Sequence, residues 1–383
     1  LLLDFANSKT LDPRITFTRN STATYVDELG VIKTAAAGEA RFDHDPATGE
    51  SLGLFIEESR TNSFLQSQDL TTTWTTQNIT LTANAAISPD GTNNAFKMDS
   101  DGTNGNKEIY QAISFTNGTS VTIAWYVKKA EEPQFRFAVQ SSIFGGTVTQ
   151  AYFNLDTGLV TSTVGGVTDA DLIPVGNGWY RCWAVVNPTA TGSGNVFFTF
   201  YDASAPAGEG YYLWGPQAEA GSFPTSYIPT SGSTVTRSAD QASITGTNVT
   251  DFYNNSESTF FYERVKQNTV QPQQEFWIGP SPWSQNNNIS PVWQANPLTQ
   301  LQIKTANVWQ SFSTVSNTAD KVAFALKNND TVLAAGGVLG NVVTSITLPS
   351  SVAYINIRPG SLIKRIAYYN TRLSNTALEA LTL

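Results

Sequence analysis

Short runs of β-branched and aromatic residues, broken at close intervals by turn residues, constrain this chain more than any other feature. SVTIAWYVKK, PQFRFAVQ, TQAYFNL, WYRCWAVV, NVFFTFYD, STFFYERV, VAYINIRP and LIKRIAYY alternate at or near period two, and DG, NG, GG and GNG punctuate the chain between strands. Alternation across a pleat gives each strand one face for a core and one for water, which suits antiparallel sheets packed in pairs. The pattern predicts an all-β chain of antiparallel β-sandwiches or rolls. Only LSNTALEALTL at the end reads as a helix, with Ser374 or Asn375 as its cap and Leu378 and Leu381 at helical spacing.

At 383 residues the chain has room for two or three domains. Residues 1–64 are irregular and turn-rich, residues 65–235 hold one dense series of strands, and residues 236–383 hold a second. This divides the chain into an entry segment and two sandwiches. The entry segment has too few apolar residues for a core of its own and is expected to complete one of the sandwiches. No repeat of fixed period signals a propeller or solenoid. No run of eighteen apolar residues occurs, so no membrane insertion is expected. The opening LLLDFANSKTL lacks the basic leader of a signal peptide, and a start without Met would suit a processed or trimmed chain.

Charge and motif content exclude several function classes. Only 14% of residues are charged and the net charge is −9, so the clustered Lys and Arg that a nucleic-acid partner requires are missing. The single cysteine, Cys182, can form no intramolecular disulfide and reads as a small buried hydrophobe. The single histidine, His44 in RFDHDPATGE, reads as part of a polar turn. No GxxxxGK[ST], strand-linked GxGxxG, GxSxG or CxxC occurs. A glycosidase needs two carboxylates facing one bond. The adjacent pairs Glu57–Glu58 and Glu131–Glu132 suit this poorly, because neighbours on a strand point to opposite faces. The chain therefore reads as no enzyme.

Several segments resemble a known protein type. TRNSTATYVDELGVIKTAAAGEARFDHDPATGESLGLFIEESRTN (18–62) resembles the entry segment of bacteriophage tail-fibre, spike or head-fibre proteins, and GYYLWGPQAEAGSFPTSYIPTSGSTVTRSAD (210–240) resembles the end of their carbohydrate-binding-module-like domain. Between them, QSQDLTTTW, SPDGTNNAFKMDSD, YQAISFTNGTSVTIAWYVKKAE and GNGWYRCWAVV are similar to the jelly rolls of carbohydrate-binding families four, nine and twenty-two. STFFYERV, ADKVAFALKNNDTVLAAGGV and PGSLIKRIAYYNTRLSNTALEALTL resemble a concanavalin-like or laminin-G-like sandwich. The resemblance implies a virion protein acting outside the host cell, bound to host cell-surface polysaccharide and to other virion proteins, and commonly trimeric. It implies that Tyr211, Leu213 and Trp214 lie in the last strand of the jelly roll, with Ser226 to Ile228 along its surface. It also leaves a structural calcium open in the jelly roll, although the third module offers few acidic residues, chiefly Asp320 and Asp330, where laminin-G-like domains hold calcium; no other cofactor or metal is implied.

Sugar recognition needs flat aromatic faces for pyranose C–H surfaces and amide, guanidinium or carboxylate partners for hydroxyls. Trp74, Trp179 and Trp214 fall where the resembling modules keep core aromatics. Trp125 and Trp183 lie in strands whose alternation could turn either face inward, and Arg136, Gln140 and Tyr152 on neighbouring strands could supply a polar complement. EFWIGPSPWSQNNNISPVWQANP adds Trp277, Trp283 and Trp293 on a loop, where indoles either cover an edge or interface or meet a glycan. The expected function is adhesion through these residues. The competing readings are a purely architectural fibre or decoration subunit and a polysaccharide-degrading enzyme.

Overall fold

The computed structural model describes residues 1–265, 273–274, 276–281, 286–294, 298–310, 312–316 and 319–383. It is an all-β protein of two antiparallel β-sandwiches. In the first, a six-stranded sheet in the order 167–174, 179–186, 121–129, 210–220, 95–100, 79–86 faces a second in the order 159–164, 149–154, 134–139, 192–200, 108–115, 75–77. Their inner faces supply one apolar core in which Ile123, Trp125, Val127 and Leu213 of one sheet meet Ile109, Phe135, Phe153 and Phe198 of the other. Strict alternation sets this core: in Gln134–Val139, Phe135, Phe137 and Val139 are buried while Gln134, Arg136 and Ala138 are half-buried on the far side.

The second sandwich shares its sheets with residues 1–64. Leu2–Asp4 and Ser51–Ile56 both pair with Ser361–Tyr369, Arg41–His44 adds to Ser51–Ile56, and Ile15–Thr18 pairs with Gln241–Thr245 in the opposite sheet. Gly53 permits one of these joints: at φ 85° a side chain there would meet the Ile363 carbonyl oxygen 2.2 Å away. The closing helix Asn375–Thr382 is capped by Ser374, whose hydroxyl accepts from the Ala377 amide at 3.2 Å, and it buries Leu378. RFDHDP is a strand rather than a turn as far as His44: Arg41–His44 pairs with Ser51–Ile56 and only then turns, leaving His44 buried with Nδ1 2.9 Å from the Val26 carbonyl oxygen. Cys182 is buried in the first core, where burial pushes its thiol up.

The stretch SYIPTSGSTVTRSADQ is a seam rather than a tether. Ile228 donates to the Gln217 side chain at 2.7 Å, which ties the stretch along the last strand of the jelly roll, Gly210–Ala220. Val235–Arg237 then pairs with Arg60–Asn62. At this seam three guanidiniums and two carboxylates, each at most 3% exposed, form one cluster. Asp240 accepts from Arg19 at 3.0 Å, from Arg41, and from the Glu57 amide at 2.8 Å. Glu57 accepts from Arg41 and from the Ser226 hydroxyl, both at 2.6 Å, with Arg237 3.0 Å away. Burial alone would raise the Glu57 carboxyl, but Arg237 and Arg41 beside it and the bonds from Ser226 bring it down to about 2.

Asp43 follows Arg41 on the same strand face, two residues along. Burial pushes its carboxyl up to about 7; the Val26 amide, donating to it at 2.6 Å, and Arg41 oppose that shift, and Glu57 adds to it. An acid whose folded value lies above its ordinary 3.8 makes the fold less stable as pH rises from about 4 to about 7. Asp43→Asn keeps an acceptor for Val26 and carries no charge. Its thermal midpoint is expected above that of the wild type at pH 8, with the difference gone by about pH 4. A pH-independent difference between the two melting curves would contradict this.

Candidate functional site

The outward face of the sheet made by 75–77, 108–115, 134–139, 149–154, 159–164 and 192–200 (the sheet 75–200) carries rows of polar and aromatic side chains. Cross-strand partners share a face, so one row reads Ser162, Tyr152, Arg136, Thr199, Glu108, Gln77, and the next Val164, Gln150, Ala138, Phe197, Tyr110, Thr75. Tyr110 lies on Phe197 with ring centroids 4.9 Å apart, and Tyr152 meets the half-exposed Tyr201 edge-on at 5.9 Å. The Tyr152 hydroxyl donates to Gln150.

Arg136 sits between the two ring pairs. Among the described residues its guanidinium makes no hydrogen bond and no ion pair, and its Nε is buried without a partner. Glu108 lies across Thr199 from it without forming an ion pair. Burial raises the Glu108 carboxyl while the Arg136 charge pulls it back. An unengaged guanidinium flanked by two aromatic pairs can fork onto vicinal hydroxyls or a carboxylate while the rings take C–H faces. Among the described residues no hydrogen bond or ion pair uses it.

The structure brings together Arg136 and Tyr152 of the sequence-expected residues and separates the others. Trp125 is fully buried, with Trp74 at 5.1 Å and Phe198 at 5.0 Å between ring centroids, so no indole face is open to a sugar. Trp183 is 1% exposed and lies on the outer face of the other sheet, away from Arg136. Gln140 follows the strand rather than lying in it, and its side-chain oxygen accepts from the Asn195 amide at 3.0 Å. Trp277 and Trp293 are in strands rather than on a loop, Phe276–Gly279 and Asn288–Gln294, and Trp277 is half-buried with the Arg358 guanidinium 5.9 Å from its ring. Trp283 lies outside the described residues, as does the side chain of Trp293. Trp74, Trp179 and Trp214 are core aromatics, with the first two indoles donating to the carbonyls of Gln66 and Ile87.

Sequence reasoning missed Tyr110, Phe197, Tyr201 and Glu108. Their phase was available: Ile109, Gln111 and Ile113 point inward in one strand and Val196, Phe198 and Phe200 in the other, which leaves Tyr110, Phe197 and Tyr201 outward.

No family model matches the chain, and neither does any curated protein. Among solved structures it is similar to the NanB sialidase from Streptococcus pneumoniae, at 14% identity over 37% of this chain and 26% of that one, with a TM-score of 0.31. It is also similar to the CBM40 domain of the Ruminococcus gnavus IT-sialidase bound to α2,3 sialyllactose, at 15% identity over 35% of this chain and 86% of that one, TM-score 0.28. A Trypanosoma rangeli sialidase in complex with the inhibitor DANA matches at 10% identity over 76% of this chain and 60% of that one, TM-score 0.27. The match thus spans about a quarter of the pneumococcal enzyme.

Proposed function

We propose that this chain is an adhesin that binds cell-surface glycans across the outward face of the sheet 75–200, without cleaving them. The observation that carries the reading is the unengaged Arg136 guanidinium between the Tyr110–Phe197 and Tyr152–Tyr201 pairs. The resemblance of residues 18–62 and 210–240 to phage fibre and spike proteins supports a place on a virion, with host polysaccharide and other virion proteins as partners. Assembly as a homotrimer would present several weak sites together and multiply their strength. Adhesion rather than catalysis is favoured because Glu57, one member of the adjacent pair Glu57–Glu58, is held by two arginines and Ser226.

The test is a glycan array probed with the full chain, carrying host lipopolysaccharide and capsule fragments, with reducing-end release assayed in the same wells. Binding without release is expected. Arg136→Ala should weaken it about tenfold or more, the loss of one charge-assisted hydrogen-bonding group, and Tyr152→Ala should weaken it less. Binding unaffected by both variants would remove the sheet face as the site, and release of sugar would make the chain an enzyme.

A further inference from the structure

A tight hairpin ends one sheet of the second sandwich. Leu298–Thr305 runs into Val308–Trp309, with Thr305 opposite Val308 and Lys304 opposite Trp309. The turn residues Ala306 and Asn307 both take positive φ, 50° and 65°, as a two-residue hairpin turn requires. The Ala306 amide donates to the Asn287 side chain, the Asn307 amide to the Asn286 carbonyl and the Gln310 amide to the Ile303 carbonyl, each at 2.9 Å. These bonds tie the hairpin to the sheet and hold in place what it carries.

It carries Trp309. That residue is 51% exposed and, among the described residues, is the one exposed tryptophan. In Leu298–Thr305, Leu301 and Ile303 point into the core, which sets Gln300, Gln302 and Lys304 outward, and cross-strand pairing puts Trp309 on the Lys304 face. The Lys304 ammonium lies 5.2 Å from the indole centroid, and Phe312 meets the ring edge-on at 6.0 Å. Among the described residues Lys304 makes no ion pair and donates no hydrogen bond, and its ammonium is open to solvent. It is also the one charged residue between Glu275 and Asp320, so no carboxylate near it in the chain can neutralise it. Gln302, two residues along the same face, donates its amide to Gln300 at 2.8 Å, while its side-chain oxygen accepts no bond and is open to solvent.

Each of these groups asks for something different. An exposed indole takes an apolar C–H face at little cost in ordering. A lone ammonium favours an anion, and its bond to a carboxylate is roughly twice as strong as a neutral hydrogen bond. The Gln302 oxygen takes a hydroxyl. A neutral sugar leaves the ammonium without its anion, and an inorganic anion leaves the indole bare. A pyranose that bears a carboxylate answers all three.

We propose that the Trp309 hairpin is a second ligand site, on the second sandwich, which takes an acidic sugar with its carboxylate on the Lys304 ammonium and its ring against the Trp309 indole. The site stands whether or not the sheet face binds glycan.

The test reads the indole itself. Full-length protein labelled with ¹⁵N at tryptophan indoles is titrated to millimolar concentration with methyl glucuronide, with sialyllactose, and with methyl glucoside, which carries a hydroxymethyl group where the glucuronide carries its carboxylate. Trp309→Phe assigns the Trp309 signal by its loss. Saturable movement of that signal with at least one of the two acids is expected, in the wild type and equally in Arg136→Ala, and which acid moves it tells a uronate from a sialate. The midpoint should lie about tenfold higher in Lys304→Gln, and methyl glucoside should bind at least about tenfold more weakly than the acid. No movement with either acid overturns the proposal, as does equal affinity for methyl glucoside or an unchanged midpoint in Lys304→Gln. Movement that disappears in Arg136→Ala assigns the effect to the sheet face and also overturns it, whereas failure of the sheet-face reading on the array leaves the Trp309 response intact.

Discussion

Asp240→Asn is expected to destabilise the protein by about 3–5 kcal/mol, which lowers the thermal midpoint by roughly 10 °C. Asp240 is the shared acceptor of Arg19 and Arg41 and of the Glu57 amide, and all of these groups are out of contact with water. Its neutralisation leaves three buried guanidiniums facing the one carboxylate of Glu57. An asparagine also brings two donors to a place where only acceptors fit, since both Asp240 oxygens receive N–H groups. Glu57→Gln should fall in the same range. Calorimetric scans at pH 7 check both, and a midpoint shift under about 3 °C would mean that the cluster relaxes or admits water. Acid probes the same groups. The Glu57 contribution is fully present above its ordinary value of 4.5 and is lost as pH falls towards its folded value of about 2, so wild type and Glu57→Gln should converge on acidification.

The cluster also explains what several polar segments of the chain are for. TRNSTATY supplies Arg19, ARFDHD supplies Arg41, FIEESR supplies Glu57, and TSYIPT and VTRSADQ supply Ser226, Arg237 and Asp240. No local pattern records these pairings, because the partners lie up to 221 residues apart.

Strand existence, by contrast, was legible, since one face of each strand meets the core. Legibility failed where both faces are covered. In WYRCWAVV the inward phase is Cys182 and Ala184, yet Trp183 and Val185 are buried as well, because residues 25–58 and 223–227 lie over that sheet. Alternation then vanishes, as it does in any sheet clad on both sides, and composition cannot say which tryptophan faces the core. On the opposite sheet the outer face is less covered: Thr199 and Glu108 are buried, but in Gln134–Val139 and Thr149–Asn154 alternation survives, and Arg136 and Tyr152 could be placed from the pattern alone.

Trp125→Ala should also remove about 3–5 kcal/mol, for a reason unrelated to charge. The Trp125 indole lies at the centre of the jelly roll among Phe64, Trp74 and Phe198, with centroid separations of 6.5, 5.1 and 5.0 Å, and is fully buried. Large rings on three sides cannot collapse far into the space it would leave, so the cavity term adds to the lost transfer energy. Its indole N–H is buried without an acceptor, and this separates two variants. Trp125→Phe leaves a smaller void and removes the unsatisfied donor, so its loss should be about 2 kcal/mol or less. Both are measured by urea unfolding followed through loss of the jelly roll. Trp125→Phe should bind glycan on the array as the wild type does, because the indole touches no part of the Arg136 face. Loss of binding in Trp125→Phe with stability intact would place a sugar in contact with Trp125, contrary to its burial.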